Sequence, residues 1–183
     1  MVACMALVAR FATENHTILR TVDKEPVSRT SDWAVTLDSA FPNEANYLGT
    51  LFGGRVLELM DINASIAAVR FARTASVTAS TEPIDFHNPI YVGEVIEVKS
   101  RVVYTGRTSM IIRSEVRSEN PITGNRKLCT IGHLSFVAIG EDGRPTPVPK
   151  LEIRNAEEQE MWNIGQQVKA AALERTALTA SKE

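Results

Sequence analysis

Apolar and polar side chains alternate along most of the chain between residues 76 and 139, with the two-residue period of β-strands. The predicted strands run from Val77 to Phe86, from Val95 to Tyr104, from Met110 to Arg117 and from Leu128 to Ile139. In the second of these strands the alternation puts Tyr104 on the same face as Ile96 and Val98. Because the connections are too short for the crossovers that parallel strands need, an antiparallel meander is predicted.

Two further elements precede the meander. Trp33, Val35 and Leu37 alternate with smaller or polar residues, which predicts a half-buried first strand. After Gly53 and Gly54, apolar residues recur every three or four positions as far as residue 71, which predicts a long helix. Further apolar residues fill the other side of this helix: Ile62, Ile66 and Val69. The helix is therefore predicted to be buried nearly all round.

The order of these elements predicts an α+β fold in which one long buried helix is wrapped by an antiparallel sheet. The prolines at 145, 147 and 149 end the sheet, and Asn155 to Glu174 is predicted as an amphipathic helix that packs outside the core or frays. The expected organisation is an N-terminal extension over residues 1–27, one domain over residues 28–150, and a C-terminal helix and tail over residues 151–183.

Composition and charge exclude several classes of function. The chain has 183 residues and a formal net charge of −2, so it lacks the positive field that attracts nucleic acid or an anionic membrane. Its two cysteines form neither a metal-ligand spacing nor a disulfide framework. A reducing compartment, the cytoplasm, is therefore expected. Arg10 interrupts the apolar N-terminus before it reaches a membrane-spanning length, so no export is expected.

Asp61 is the first candidate for chemistry, because it lies inside the apolar run of the predicted helix. Its helical neighbours are Leu57, Met60, Ala64 and Ser65, so no cation within a turn neutralises the carboxylate. One interpretation is an ordinary helix residue that reaches water or a buried polar partner. The other is a general base or acid, since a carboxylate without a cationic partner in apolar surroundings is suited to proton transfer.

The residues before this helix are candidates to complete such a site. Gly53 and Gly54 place bare backbone at the helix start, where N–H groups without intrahelical partners are suited to hold a developing oxyanion. Asn46 lies seven residues before Gly53, in a loop expected near the same helix start. From its spacing alone, Asn46 is equally compatible with a turn residue and with a polar residue of the site.

Three motifs follow one another along the chain. They are Asn46-x-x-Gly49-x-Leu51-Phe52-Gly53-Gly54-x-Val56-Leu57-x-x-Met60-Asp61, then Ile84-Asp-Phe86-His-Asn-Pro89-Ile-Tyr-Val-Gly93-Glu-Val95, and then Thr105-Gly-Arg107-Thr-Ser109-Met-x-Ile. Together they resemble the acyl-CoA thioesterases of the hot-dog fold, in the branch of broad-specificity acyl-CoA hydrolases. The resemblance covers about residues 30 to 140.

The resemblance implies hydrolysis of acyl-CoA to a free acid and CoA, with Asp61 as the catalytic carboxylate and Asn46 as its polar partner. It also implies that N–H groups at Gly53 and Gly54 polarise the thioester carbonyl. Water activated by Asp61 is favoured over direct attack by the carboxylate. No metal and no cofactor are implied, because CoA is part of the substrate. The expected assembly is a homodimer with shared active sites, and a hexamer built as a trimer of dimers is the larger assembly that the resemblance allows.

Arg107, Thr108 and Ser109 are the candidates for CoA binding. They lie at the tip of a predicted hairpin, where a cation and two hydroxyls are suited to meet phosphate groups. A solvated turn explains the same residues equally well without the resemblance. The resemblance favours contact with CoA.

Two other functions stay open as alternatives. A non-catalytic acyl-CoA-binding regulator of the same fold would need a DNA-binding domain, and the first thirty residues are too few and too weakly basic for one. A hot-dog acyl-CoA dehydratase would use a different acid–base pair that includes a histidine. His87 is the candidate for that role, since it lies near a strand end predicted to face the helix.

Overall fold

The computed structural model describes residues 28–180, with side chains described as far as residue 177. The expected N-terminal extension, residues 1–27, lies outside the described residues, as do residues 181–183. Within the described part of the chain, no helix is long and apolar enough to cross a membrane.

Between residues 28 and 180 the chain forms eight strands and two α-helices. The strands are β1 (Ser28–Arg29), β2 (Ala34–Ser39), β3 (Ala75–Thr81), β4 (Asp85–Phe86), β5 (Val95–Thr105), β6 (Ser109–Glu119), β7 (Arg126–Ile139) and β8 (Lys150–Leu151). The helices are α1 (Gly53–Ala72) and α2 (Ala156–Ala180), and a short 3-10 turn covers Pro42–Glu44.

One antiparallel sheet contains most of the strands, in the order β2-β5-β6-β7-β3. Strand β4 also pairs with β7, and β1 and β8 form a separate short parallel pair. Strands β2 and β3 are therefore the two edges of the sheet. The central strands β5, β6 and β7 have 11, 11 and 14 residues, and the sheet that they form curls around α1.

Helix α1 packs against one face of this sheet and supplies the centre of the core. Met60, Ala64 and Ala68 on α1 are fully buried, and the small alanines let the helix lie close to the strands. The first half of α1 packs with Ile96 and Val98, and the second half packs with a cluster that includes Phe136. The predicted fold, one long helix wrapped by an antiparallel sheet and followed by a C-terminal helix, is confirmed.

The prediction of one strand from Val77 to Phe86 is wrong in its extent. The chain forms β3, leaves the sheet at residues 82–84, and returns as the two-residue β4. Pro83 lies at this break, and a proline has no N–H to donate to a strand ladder. Strand β4 continues the same edge of the sheet by pairing with β7 at Thr130 and Ile131, and Phe86 is half-exposed at 50%.

The prediction that α1 is buried nearly all round is also wrong for the single chain. Ile62, Ile66 and Val69 are 48%, 39% and 42% exposed. The sheet covers only the side of the helix that carries Met60 and Ala64, because a single curled layer cannot enclose the whole circumference. A stripe of apolar side chains on α1 is therefore left uncovered.

In β2 the large apolar side chains face solvent and the smaller residues face the core, which is the reverse of the usual amphipathic strand. Val35 and Leu37 are 54% and 69% exposed, whereas Ala34 is buried. Two of the inward positions are polar because they meet polar residues of α1. Thr36 accepts a hydrogen bond from Asn63 at 3.2 Å, and Asp38 pairs with Arg55 at 2.9 Å. The large apolar residues of β2 consequently lie on the outer face of an edge strand.

Helix α2 packs on the outer face of the sheet, and it accounts for another difference. A register shift between Val102 and Tyr104 turns the Tyr104 ring away from the core face predicted for it. The ring lies 4.7 Å from that of Trp162 on α2. At the start of α2, Glu158 accepts a hydrogen bond from Arg101 at 2.8 Å, and the nearby Arg154 and Arg101 lower the pKa of Glu158 to about 2.

Candidate active site

Asp61 lies half-buried on α1, on the side that faces the edge strand β3. The hydroxyl of Thr78 on β3 donates a hydrogen bond to its Oδ1 at 2.6 Å. Among the described residues, no lysine, arginine or histidine forms an ion pair with Asp61. The carboxylate is therefore held in place by a neutral donor, and its charge is not neutralised by a cation of the same chain.

The position of Thr78 follows from an irregularity in β3. The pairing of β3 with β7 shifts register between Thr78 and Ser80, and such bulges re-aim side chains next to functional sites. The sequence alone does not single out Thr78 as a residue of the site. No local signal distinguishes it from the other β-branched residues of a strand, because only the contact with α1 gives it a role.

The start of α1 presents free backbone donors. Phe52 precedes the helix and gives no side-chain cap, and none of the described residues accepts a hydrogen bond from the N–H of Gly53 or Gly54. The next two N–H groups, of Arg55 and Val56, both donate to the carbonyl of Phe52, at 3.0 and 3.3 Å. Unpaired N–H groups at the positive end of a helix dipole favour a carbonyl oxygen that gains negative charge.

A salt-bridge cluster stabilises the same first turn. Arg55 pairs with Asp38 at 2.9 Å, with Glu44 at 2.8 Å and with Glu58 at 3.0 Å. A cation is unfavourable near the positive end of a helix, and the three acids compensate for it. The Glu58 side chain is 58% exposed.

An apolar pocket of about 360 Å³ opens beside the start of α1. It is lined by Leu51, Gly53, Val56, Phe86, His87, Asn88, Pro89, Ile90 and Cys129. A side chain on Gly53 would touch the Phe86 ring at 3.4 Å. Burial raises the pKa of the Cys129 thiol, so this side chain behaves as a small neutral apolar group.

Asn46 closes its own loop. Its Nδ2 donates to the Thr50 hydroxyl at 2.9 Å, and its Oδ1 accepts from the N–H of Leu48 at 2.9 Å and of Thr50 at 3.3 Å. Neither of the two atoms bonds to Asp61 within the described residues. Inside one chain, Asn46 therefore acts as a turn residue.

The predicted catalytic residues do not meet inside one chain. Gly53 and Asp61 are both on α1, eight residues apart, and a helix rises by 1.5 Å per residue, so about 12 Å separates them along the axis. A thioester carbonyl at the Gly53 and Gly54 N–H groups is therefore too far from the Asp61 carboxylate of the same chain for both to act on it.

Arg107, Thr108 and Ser109 lie at the turn between β5 and β6, as predicted. The carbonyl of Arg107 accepts from the Val148 N–H at 3.0 Å, and that of Thr108 accepts from the Ala138 N–H at 3.0 Å. These backbone bonds order the turn while the Arg107 side chain stays exposed, without a partner among the described residues. The turn adjoins the part of the core around the second half of α1, so it lies at the opposite end of the helix from Gly53.

Comparisons with known proteins agree with this architecture. Residues 48–124 match the model of the thioesterase superfamily. The uncharacterized acyl-CoA thioester hydrolase YkhA of Bacillus subtilis is 36% identical over 133 residues, which are 73% of this chain and 77% of that protein. The cytosolic acyl coenzyme A thioester hydrolase of Rattus norvegicus is 31% identical over 126 residues, and these span 68% of this chain but only 33% of the rat protein.

Solved structures give the same result. A hexameric acyl-CoA thioesterase superposes with a TM-score of 0.79 and 36% identity, over 83% of this chain and 99% of that one. The acyl-CoA hydrolase of Staphylococcus aureus, solved with butyryl coenzyme A, coenzyme A and coenzyme A disulfide, superposes with a TM-score of 0.76 and 27% identity, over 84% and 94% of the two chains.

Three variants of the S. aureus enzyme have also been solved, each with one residue replaced by alanine: an asparagine, an aspartate and a threonine. Along that chain the three residues follow one another with the same spacing as Asn46, Asp61 and Thr78 here. The family model, the identity to YkhA and the shared architecture lead to one conclusion: the chain belongs to the thioesterase superfamily, among the acyl-CoA thioester hydrolases with the hot-dog fold.

Proposed function

We propose that the protein hydrolyses acyl-CoA thioesters to a free acid and CoA, and that two copies of the chain build each active site. The observation that carries this proposal is the Asp61 carboxylate, held by the Thr78 hydroxyl at 2.6 Å and left without a cationic partner among the described residues. Membership of the family and the CoA complexes of the S. aureus relative support the substrate class.

In the proposed reaction, Asp61 acts as a general base. The Thr78 hydroxyl occupies Oδ1, so Oδ2 is free to take a proton from a water molecule. That water attacks the thioester carbonyl carbon, the C–S bond breaks, and the proton goes to the departing CoA thiolate. Sulfur donates little resonance to its carbonyl, so positioning, a base and an oxyanion site suffice without a metal or a redox cofactor.

The developing oxyanion is held by the N–H groups of Gly53 and Gly54. In one chain these donors are about 12 Å from Asp61 along α1, whereas the base and the oxyanion donors must both lie within about 3 Å of the reacting atoms. This separation supports a site in which Asp61 from one copy acts together with the helix start of another copy.

The uncovered surface of α1 supports such a pairing. Ile62, Ile66 and Val69 are exposed on α1, and the edge strand β3, whose Thr78 bonds to Asp61, has an unpaired side. A second copy that covers this surface also brings in its own Asn46, whose Nδ2 has one N–H left after its bond to Thr50. The hexameric relative supports a homo-oligomer built on such dimers.

The proposal assigns the CoA phosphates to Arg107, Thr108 and Ser109. An exposed guanidinium without an internal partner, on a turn that the backbone already orders, is suited to bind phosphate with little loss of conformational entropy. The turn lies away from Gly53, near the second half of α1, and the phosphates of CoA likewise lie far from its thioester. The cytosolic relatives from mammals support a cytoplasmic location.

The first part of the test is Asp61→Asn, with thioester hydrolysis measured on a panel of acyl-CoAs. Loss of a general base is expected to lower kcat by about a hundredfold to ten-thousandfold. The fold is expected to stay intact, because the side chain keeps its shape. Glu58→Gln is the matched control, since it removes an exposed carboxylate from the same helix three residues earlier. Wild-type kcat in Asp61→Asn would refute the assignment of Asp61.

The second part tests the shared site. Asp61→Asn and Asn46→Ala are prepared as separate proteins and mixed under conditions that exchange subunits. In a mixed dimer one site inherits both substitutions and the other inherits neither, so random exchange is expected to restore about a quarter of the wild-type sites. Activity that stays at the level of the parents despite demonstrated exchange would contradict the shared site, while the thioesterase assignment would still stand on the first test.

A further inference from the structure

Apart from Gly53, the residues that line the pocket beside the start of α1 take no part in the proposed reaction. We infer that this pocket takes the acyl chain of the substrate, and that its closed floor, formed by Val56 and Cys129, limits hydrolysis to short and medium chains. The inference rests on the proposed function, because it places the acyl group relative to the same helix start.

The mouth of the pocket lies at the start of α1. Gly53 lines it together with the exposed residues Phe86, Asn88 and Pro89. The N–H of Gly53 and that of its neighbour Gly54 donate to none of the described residues. A thioester whose carbonyl oxygen accepts from these donors therefore has its acyl carbons at the entrance. Because Gly53 has no side chain, and a Cβ there would already touch the Phe86 ring at 3.4 Å, the entrance stays open.

The floor of the pocket is formed by buried side chains. Leu51, Val56, Ile90 and Cys129 line the pocket and are 6%, 3%, 4% and 1% exposed. The Cys129 sulfur lies 3.4 Å from the Ser118 hydroxyl, which fixes the thiol against the wall. These groups are apolar or neutral, so the floor suits methylene groups and offers nothing to a charged or strongly polar ligand.

The volume of the pocket limits the length of the acyl chain that it can hold. At about 30 Å³ for each water-sized group, a pocket of about 360 Å³ holds about twelve such groups. The mouth is wide, and the thioester group takes up part of this space. Behind the floor the core is closed, because Ile96 and Val98 are at most 1% exposed. An acyl chain of up to about ten carbons fits, and a longer chain meets a packed wall.

The experiment compares two buried valines of the same core cluster. Val56→Ala enlarges the pocket, whereas Val116→Ala removes the same atoms from a fully buried site that does not line it. For each protein, kcat/KM is measured on saturated acyl-CoAs from two to sixteen carbons. Wild type is expected to peak at short or medium chains. Val56→Ala is expected to raise the ratio of dodecanoyl-CoA to hexanoyl-CoA about tenfold for each methylene it newly admits, and Val116→Ala is expected to leave that ratio unchanged.

Cys129→Leu provides the opposite change. Filling the floor is expected to lower kcat/KM for decanoyl-CoA at least about tenfold relative to butyryl-CoA. If Cys129→Leu does not fold, Val56→Ala alone still decides the question. Wild-type hydrolysis with the same chain-length profile in Val56→Ala as in Val116→Ala would overturn the acyl pocket and leave the proposed function intact. Wild-type protein that hydrolyses none of the thioesters would overturn both.

Discussion

Thr78→Val is the substitution that most directly tests how Asp61 is held. Valine keeps the branched shape of threonine and removes the hydroxyl that donates to Asp61 Oδ1 at 2.6 Å. This is the one hydrogen bond that the described residues give to the carboxylate side chain. Without it, rotation about the Asp61 side chain is restrained only by packing, and a general base that leaves its productive geometry loses most of its effect.

The size of the effect follows from the kind of bond. A hydrogen bond to a charged group contributes about 1.5–3 kcal/mol, and each 1.36 kcal/mol corresponds to a tenfold change in rate. Thr78→Val is therefore expected to lower kcat by about tenfold to a hundredfold. KM is expected to change little, because Thr78 positions Asp61 and contributes no contact to CoA in the proposed site.

The assay is steady-state release of CoA from a thioester that the wild type hydrolyses well. Thr78→Ser restores a hydroxyl at the same position and is expected to recover most of kcat. Thr36→Val is the matched control, because Thr36 lies on the other edge strand and also bonds to α1, where it accepts from Asn63 at 3.2 Å. It is expected to lower stability while leaving kcat close to that of the wild type.

Two results would refute the reasoning about Thr78. One is a wild-type kcat in Thr78→Val with the fold intact, which would mean that Asp61 needs no donor. The other is an equal loss of kcat in Thr36→Val and Thr78→Val, which would mean that any loosening of α1 lowers activity. In either case Asp61→Asn would still report separately on the carboxylate itself.

Two further predictions concern residues away from Asp61. Arg107→Ala is expected to raise KM for CoA thioesters, because about 1–2 kcal/mol of binding free energy is lost, and to weaken the salt dependence of KM while kcat changes little. An unchanged KM would mark Arg107 as an ordinary solvated turn residue. Burial and the charge of Arg113 lower the pKa of His133 to about 4, so the unfolded chain binds this proton at a higher pH than the folded one. The free energy of unfolding is therefore expected to fall by up to about 3 kcal/mol as the pH drops from 6.5 to 4, and urea unfolding of His133→Gln should lack most of this loss.

The elements and their order were predictable because their signals are local. The alternation between residues 95 and 139 reflects strand geometry itself, and the recurrence of apolar residues after Gly54 reflects the helical period. Asp61 stood out for the same reason, since the absence of a cation within one turn is visible in the sequence. The observed strands β5, β6 and β7 agree with the predicted ones to within a few residues.

Which face of an element is covered depended on the tertiary structure. A periodic pattern shows which residues share a face, but it does not show what packs against that face. Val35 and Leu37 lie outward because the inner side of β2 meets Asn63 of α1. Ile62 and Ile66 are uncovered because one curled sheet encloses only part of a helix.

The candidate site likewise depended on contacts between distant parts of the chain. Thr78 reaches Asp61 across 17 residues, and Cys129 comes from β7 to form the floor of the pocket beside Gly53. The sequence by itself determined the elements, the family motifs and the presence of a carboxylate suited to catalysis. The tertiary structure decided the partner of that carboxylate and the pocket next to the helix start, and the 1.5 Å rise per residue of the helix separates the two along α1. Local propensities act within a few residues, whereas a site is assembled by packing between elements that the sequence keeps far apart.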